Sequence, residues 1–176
     1  GMITSKTNPK IKNVVKLQKS SERRKQNRII IEGRREIERA LACGFVIDTL
    51  FICNEIAKES INIKANVIEE VSLEVFEKIA YREGSDGLLA VAIPRYSNLK
   101  DFKLKKNPLI IVLETVEKPG NLGAVMRTAD AAGVDAVIIA DPRTDLFNPN
   151  AIRASIGTIF SVPLFACSSE ECISWL

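Results

Sequence analysis

The amino-acid sequence predicts an α/β protein with two successive domains, and three observations support this prediction. Short apolar runs alternate with amphipathic segments along the 176 residues, as strands and helices do in α/β folds. Apolar residues make up 46% and charged residues 27%, which suits a packed core. A polar, lysine-rich stretch over 96–107 separates two such patterns, so we expect a first domain over 1–95, a linker, and a second domain over 108–176.

The first domain is expected to open with one basic helix over 5–28. Ser5 or Thr7 suits its start, and Pro9 suits its first turn. The remaining elements follow from apolar periodicity and turn residues. They are a strand at 29–31, a helix that ends at 43–44, strands at 45–53 and 67–71, a helix capped by Ser72, and a strand at 88–93 after a turn at 84–87.

The second domain is expected to begin with an apolar strand over 109–113, typical of the centre of a parallel sheet. A loop then leads to a helix that Asn121 caps and that Gly133 ends. A buried strand over 136–140 and a further helix beginning at Ser168 or Ser169 follow. The pattern stops after about three strands, so we expect this chain to be a fragment.

Composition excludes several kinds of site. The chain has no histidine, which excludes a Ser-His-Asp triad and any His-ligated metal, and we expect no metal site. The four cysteines do not have zinc-site spacing, and no secretory pattern opens the chain. We therefore expect reduced thiols and a cytoplasmic protein. The first 28 residues carry a net charge of +8 and the remainder −5, which favours an anionic polymer as partner.

The start of the helix that follows strand 109–113 is the sharpest candidate site. Gly123 allows a close approach to the helix, and Arg127 is a cation on an otherwise small and apolar segment. Its guanidinium could hold a phosphate or carboxylate. The same pattern also fits a capped helix with an exposed arginine. A nucleotide-binding glycine loop fits less well, because the two glycines at 120 and 123 do not form the dinucleotide fingerprint.

The run from Asn121 to Gly133 resembles the first motif of the SpoU (TrmH) family of RNA ribose 2′-O-methyltransferases. The segment 148–158, which contains Arg153-Ala-Ser155-Ile-Gly157, resembles the stretch that follows in that family, with Thr158 where alanine is usual. The basic opening and the segment 31–33 resemble the substrate-binding domain often fused in front, which is similar to small RNA-binding ribosomal proteins. The resemblance implies a small α/β RNA-binding domain followed by a parallel-sheet, SPOUT-type catalytic domain.

The resemblance also implies chemistry and partners. S-adenosylmethionine would donate a methyl group to a ribose in structured RNA, most often ribosomal, and the complete protein would be a homodimer. Arg127 and Asn121 would be catalytic, and Gly123, Arg153, Ser155 and Gly157 would line the active site. The family binds its cofactor through later, knotted segments that are not found here. We therefore expect the cofactor residues to lie beyond Leu176 and this chain alone to be inactive.

The basic residues of the first domain are the candidate RNA contacts. They are Lys6, Lys10, Lys12, Arg23, Arg24, Lys25, Arg28, Arg34 and Arg35. Aromatic residues are scarce, so recognition through RNA shape and phosphates is expected. Two alternatives stay open at this point: a non-catalytic RNA-binding or assembly module, and a small-molecule α/β enzyme that uses a nucleotide.

Overall fold

The structure, a computed structural model, describes residues 1–81 and 84–176. The chain divides into two compact units, Gly1–Pro94 and Arg95–Leu176, and both are α/β. The helices of the first unit are α1 (Pro9–Lys16), α2 (Ser20–Gln26), α3 (Arg34–Ala42) and α4 (Leu73–Ile79). Its strands are β1 (Ile29–Glu32), β2 (Val46–Ile52), β3 (Val67–Glu70) and β4 (Leu88–Ile93).

The four strands of the first unit form a mixed sheet in the order β1-β4-β2-β3. Strand β4 is antiparallel to both β1 and β2, whereas β3 runs parallel to β2. Apolar side chains of α1 and α4, including Ile11, Val14 and Phe76, pack with sheet residues such as Leu89 into one buried cluster. The predicted helix cap at Ser72 is confirmed, because its hydroxyl accepts a hydrogen bond from the Val75 N–H.

The single basic helix predicted over 5–28 is wrong, because the segment forms two helices. Asn8 caps α1 in place of Ser5 or Thr7, and its Oδ1 accepts a hydrogen bond from the Lys10 N–H at 2.9 Å. The chain turns after Lys16, which buries Leu17 completely. The guanidinium of Arg23 donates to the Leu17 carbonyl at 2.9 Å, so a buried cation closes the turn.

The second unit is built on a parallel sheet in the order β5-β6-β7. Its strands are β5 (Ile110–Leu113), β6 (Ala136–Ile139) and β7 (Leu164–Ala166). Its helices are α5 (Pro119–Ala131), α6 (Pro149–Ser155), α7 (Thr158–Ser161) and α8 (Ser169–Trp175). Ser168 caps α8, as predicted, through a reciprocal capping box with Glu171.

Two predictions about the second unit differ from the structure. Strand β5 is apolar but lies at the edge of the described sheet, with Val112 46% exposed, while β6 is the fully buried central strand. The segment predicted as a linker over 96–107 packs against the second unit. Leu99 is buried there, and the ring of Phe102 lies 5.1 Å from that of Phe165, because both rings join the same apolar cluster.

Candidate functional site

Helix α5 carries both residues expected to be catalytic, and it begins three residues earlier than predicted. Pro119 is its first residue and Lys118 its N-cap, so Asn121 does not cap the helix. Proline suits a first helical position because its φ is already helical and it has no N–H to satisfy. The Asn121 N–H donates to the Lys118 carbonyl at 3.1 Å, and its side chain is exposed.

Arg127 lies two turns into α5 and is the one cation of that helix. Its side chain is exposed and has no hydrogen bond or ion pair with any described residue. Six residues separate it from Asn121, about 9 Å along the helix axis. No hydrogen bond joins the two side chains within the described chain, so each is available to a ligand at its own point on the helix.

Gly123 lies where α5 crosses α6. A Cβ built on Gly123 would be 2.5 Å from the Ala154 Cβ and 2.7 Å from the Ala151 carbonyl oxygen. The absent side chain therefore lets the two helices touch through their backbones. Arg127 follows Gly123 by one turn on the same side of α5, and Arg153 is the residue before Ala154. Both arginines are exposed, and they flank one helix crossing.

The turn after α6 accounts for the burial of residues in the family-like segment 148–158. The Ser155 hydroxyl donates to the Ile152 carbonyl at 2.8 Å and accepts from the N–H groups of Gly157 and Ile159 at 3.2 and 3.3 Å. The chain reverses through Ile156 and Gly157, both at positive φ. Gly123, Ser155 and Gly157 are buried. They are therefore packing residues in the described structure, and their predicted place in the lining of an active site stays a prediction.

Arg153 keeps an exposed guanidinium that is oriented by its own helix. Its Nη2 donates to the Asn150 Oδ1 at 3.1 Å. Asn148 caps the same helix through the Asn150 N–H at 2.9 Å. The first turn of α6 thus holds the arginine side chain without neutralising its charge. Two guanidinium groups on neighbouring helices can bind an anion such as a phosphate.

The cations predicted to bind RNA fall into two groups in the structure. Six are buried or bonded to acceptors of the protein itself. Lys6 pairs with Glu74, Lys10 with Glu69, Arg28 with Asp48, Arg34 with Glu38 and Glu59, and Arg35 with Glu36, while Arg23 is buried. The other three, Lys12, Arg24 and Lys25, are exposed and make no ion pair with described residues.

Two further cations, Lys16 and Lys19, are exposed beside these three; the sequence interpretation counted them in the basic opening segment but not among the candidate RNA contacts. Lys12 and Lys16 are four residues apart on α1 and share one helix face, whereas Lys19 is the N-cap of α2. Lys12 and Lys16 lie away from Ile11 and Val14, the buried residues of α1.

The described residues do not identify a place for S-adenosylmethionine. An adenosyl group is usually held in a largely apolar cleft. Cavities of about 600 and 500 Å³ lie in the first unit, and neither borders Arg127. The space beside Gly123 is filled by Ala154. The exposed amide and guanidinium groups can bind a polar or anionic ligand. The described residues also hold no cluster of three or more potential metal-ligand side chains.

The cysteine side chains are thiols, and three of them, Cys53, Cys167 and Cys172, are buried. Burial raises the pKa of the Cys167 thiol, with smaller contributions from Cys172 and Glu171. None of the helices in the described part of the chain is long and apolar enough to cross a membrane.

Comparison with known proteins assigns both units. Residues 8–90 match the MRM3-like substrate binding domain, and residues 108–176 match the SpoU rRNA methylase family. The 23S rRNA (guanosine(2553)-2'-O)-methyltransferase RlmP of Bacillus subtilis is 29% identical over 92% of this chain and 63% of its own length. A putative TrmH family tRNA/rRNA methyltransferase of Staphylococcus epidermidis is 34% identical over 77% of this chain and 59% of its own length. The chain thus spans about three fifths of these curated relatives.

Solved structures agree with the family models. An RNA 2'-O ribose methyltransferase superposes with a TM-score of 0.83 at 37% identity, covering 99% of this chain and 69% of the other. An AdoMet-bound rRNA methyltransferase from Sinorhizobium meliloti gives a TM-score of 0.85 at 30% identity, covering 99% and 67%. The two motifs carried by α5 and α6, the architecture and these similarities lead to one conclusion. The chain belongs to the SpoU rRNA methylase family.

Proposed function

We propose that the protein methylates a ribose 2′-hydroxyl in structured ribosomal RNA. Family membership supports the reaction, and the names of the relatives support ribosomal RNA as the substrate. The observation that carries the proposal is the exposed Arg127, which has no ion pair among the described residues and lies one turn from the α5–α6 crossing that also presents Arg153. Such unneutralised guanidinium groups suit a polyanionic substrate.

In this proposal, S-adenosylmethionine supplies a sulfonium-bound methyl group when it is bound. The 2′-oxygen would act as the nucleophile, with its proton passing to solvent water. Arg127 does not accept that proton, because a guanidinium stays charged at any relevant pH. Its role is to hold the adjoining phosphate in a fork and to stabilise the negative charge that develops on the 2′-oxygen. The absence of histidine is compatible with a reaction that depends mainly on positioning.

Asn121 and Arg153 complete the proposed acceptor site. The Asn121 amide, at the start of α5, is free to bond to the ribose or to a base edge, and Arg153 would bind a neighbouring phosphate. The buried Ser155 hydroxyl holds the turn that follows Arg153. It acts as a positioning residue, because it does not reach the surface.

The complete protein is further proposed to act as a homodimer in the cytoplasm. Family resemblance supports the dimer, and the cysteine thiols support a reducing compartment. The residues that bind the cofactor are proposed to lie outside the segments described above, since family resemblance assigns cofactor binding to later segments and the chain spans about three fifths of the relatives that it matches.

The test is methyl transfer from radiolabelled S-adenosylmethionine to protein-free ribosomal RNA by the protein as its gene encodes it. Arg127→Ala is expected to lower kcat about a hundredfold or more, the usual effect of removing one group that stabilises transition-state charge. Arg127→Lys should restore only part of the rate, because it keeps the charge and loses the fork. The control is Arg143→Ala, which removes an equal charge from an exposed side chain already bonded to Asp141.

Unchanged methyl transfer by the Arg127→Ala variant would contradict the assigned role. RNA binding without methyl transfer by the wild-type protein would favour the alternative, a non-catalytic RNA-binding module. A nucleotide-dependent reaction on a small molecule, with no RNA binding, would overturn the proposal altogether.

A further inference from the structure

The first two helices form a rigid, positively charged hairpin. The side-chain amides of Asn13 in α1 and Gln26 in α2 hydrogen-bond reciprocally at 3.0 and 2.9 Å. The Arg23 guanidinium closes the turn between the helices through the Leu17 carbonyl. The Gln26 Nε2 also reaches the Glu22 carboxylate at 3.1 Å. The backbone positions that carry the cations of this hairpin are therefore fixed relative to one another before any ligand arrives.

Five exposed side chains make up what we call the hairpin cations. They are Lys12, Lys16, Lys19, Arg24 and Lys25. None of them forms an ion pair with a described residue, in contrast to most of the other cations predicted to bind RNA. A cation paired with a carboxylate about 3 Å away contributes little net field to a phosphate, because the carboxylate repels that phosphate. Of the eight exposed Lys and Arg side chains in the described part of the first unit that form no ion pair with a described residue, five therefore lie on the α1–α2 hairpin, and the other three are Lys58, Lys64 and Lys78.

We propose that the hairpin cations form the surface on which the first unit docks the phosphate backbone of folded RNA, with α3 contributing little. This inference rests on the proposed function, which supplies RNA as the partner. Residues 9–26 contain no aromatic side chain, so contacts there are to phosphates and not to stacked bases. The arginines at the start of α3 are held by Glu36, Glu38 and Glu59, and the Arg34 N–H donates to Asp86 at 2.7 Å.

An anionic membrane is a poorer fit to the same surface. Basic helices that bind membranes insert an apolar face into the lipid. Here Ile11 and Val14 of α1 are already buried in the core of the first unit, and the partly buried Val15 packs against the same core. Only charged and polar side chains face outwards, which suits a hydrated polyanion.

The test is fluorescence anisotropy with a labelled RNA stem-loop, measured from about 50 to 200 mM salt. The variant K12Q/K16Q/K19Q is compared with K58Q/K64Q/K103Q, which removes the same charge from exposed lysines outside the hairpin. The hairpin variant is expected to bind the stem-loop at least about tenfold more weakly. The slope of log affinity against log salt concentration should decrease by the equivalent of about two to three phosphate contacts. The control should change far less. K12R/K16R/K19R should keep both affinity and salt dependence.

The outcomes separate this inference from the proposed function. If wild-type protein binds the stem-loop and the two glutamine variants weaken binding equally, the hairpin assignment is overturned while the RNA partner stands. If wild-type protein shows no salt-sensitive RNA binding, the RNA partner itself is overturned. Binding of anionic vesicles, with no RNA binding, would replace RNA by a membrane. Melting curves check folding, and no change is expected because all substituted side chains are exposed.

Discussion

Gly123 and Ala154 meet at the crossing of α5 and α6, at a separation that leaves no room for one more carbon. A Cβ on Gly123 would lie 2.5 Å from the Ala154 Cβ and 2.8 Å from the Ser155 nitrogen. Two of the three nearest atoms belong to backbone, so they cannot swing aside as a flexible side chain would. The absence of a side chain at Gly123 therefore permits the close spacing of the helices that carry Arg127 and Arg153.

Gly123→Ala is expected to destabilise the protein by about 1–2 kcal/mol. Overpacking at a backbone contact costs roughly 1–3 kcal/mol, and a better helix propensity offsets less than about 1 kcal/mol of that. Gly120→Ala in the same helix is the matched control, since a Cβ there meets nothing within 4 Å. We expect it to be neutral or stabilising. Urea unfolding measures both, and equal effects of the two substitutions would contradict the assignment of Gly123 as a packing glycine.

Ser155→Ala is expected to cost about 1–3 kcal/mol, because the buried N–H groups of Gly157 and Ile159 lose their shared acceptor. The exposed Ser161 in α7 provides the control, and its replacement by alanine should change the unfolding free energy by less than about 0.5 kcal/mol. Thermal and urea unfolding of both variants would measure the difference. A Ser155→Ala variant as stable as the wild type would show that the turn does not depend on the hydroxyl.

Asp135 makes the stability of the second unit vary with pH in the acid range. The Leu109 N–H donates to its Oδ2 at 2.8 Å and is the main cause of the lowered pKa of the carboxyl. Partial burial opposes this shift, and Lys105 at 3.3 Å lowers the pKa further. Because the folded pKa lies below the unfolded value of about 3.9, the stabilisation is present above that value. It is lost as the pH falls through the folded pKa.

Asp135→Asn should therefore be less stable than the wild type at neutral pH, with a gap that closes as the pH falls below about 4. Unfolding free energies of both proteins across this range provide the measurement. Lys105→Gln is the control and should produce a smaller gap, since it keeps the Leu109 hydrogen bond that is the main cause of the shift. A gap that widens on acidification would reverse the assigned sign.

Local sequence signals predicted most of the helices and strands, because these elements depend on interactions between residues that are close in sequence. The apolar run over 136–140 and the face formed by Val75, Phe76 and Ile79 became buried structure as their periodicity predicts. Helix starts were less certain. Asn121 resembles a cap, but Pro119 two residues earlier begins the helix and leaves the asparagine exposed within it. Two adjacent start signals compete, and the sequence alone does not rank them.

Long-range contacts decided what periodicity could not. The basic opening segment breaks at Leu17 because that side chain is buried and Arg23 reaches its carbonyl. The carboxylates that neutralise Lys6 and Lys10 lie about 60 residues further along the chain, so only folding separates paired from unpaired cations. By itself, the sequence determined the α/β class, the α5 and α6 motifs and the excess of basic charge. The tertiary structure decided which of those cations are paired with a carboxylate, because a charge is neutralised by its neighbours in space.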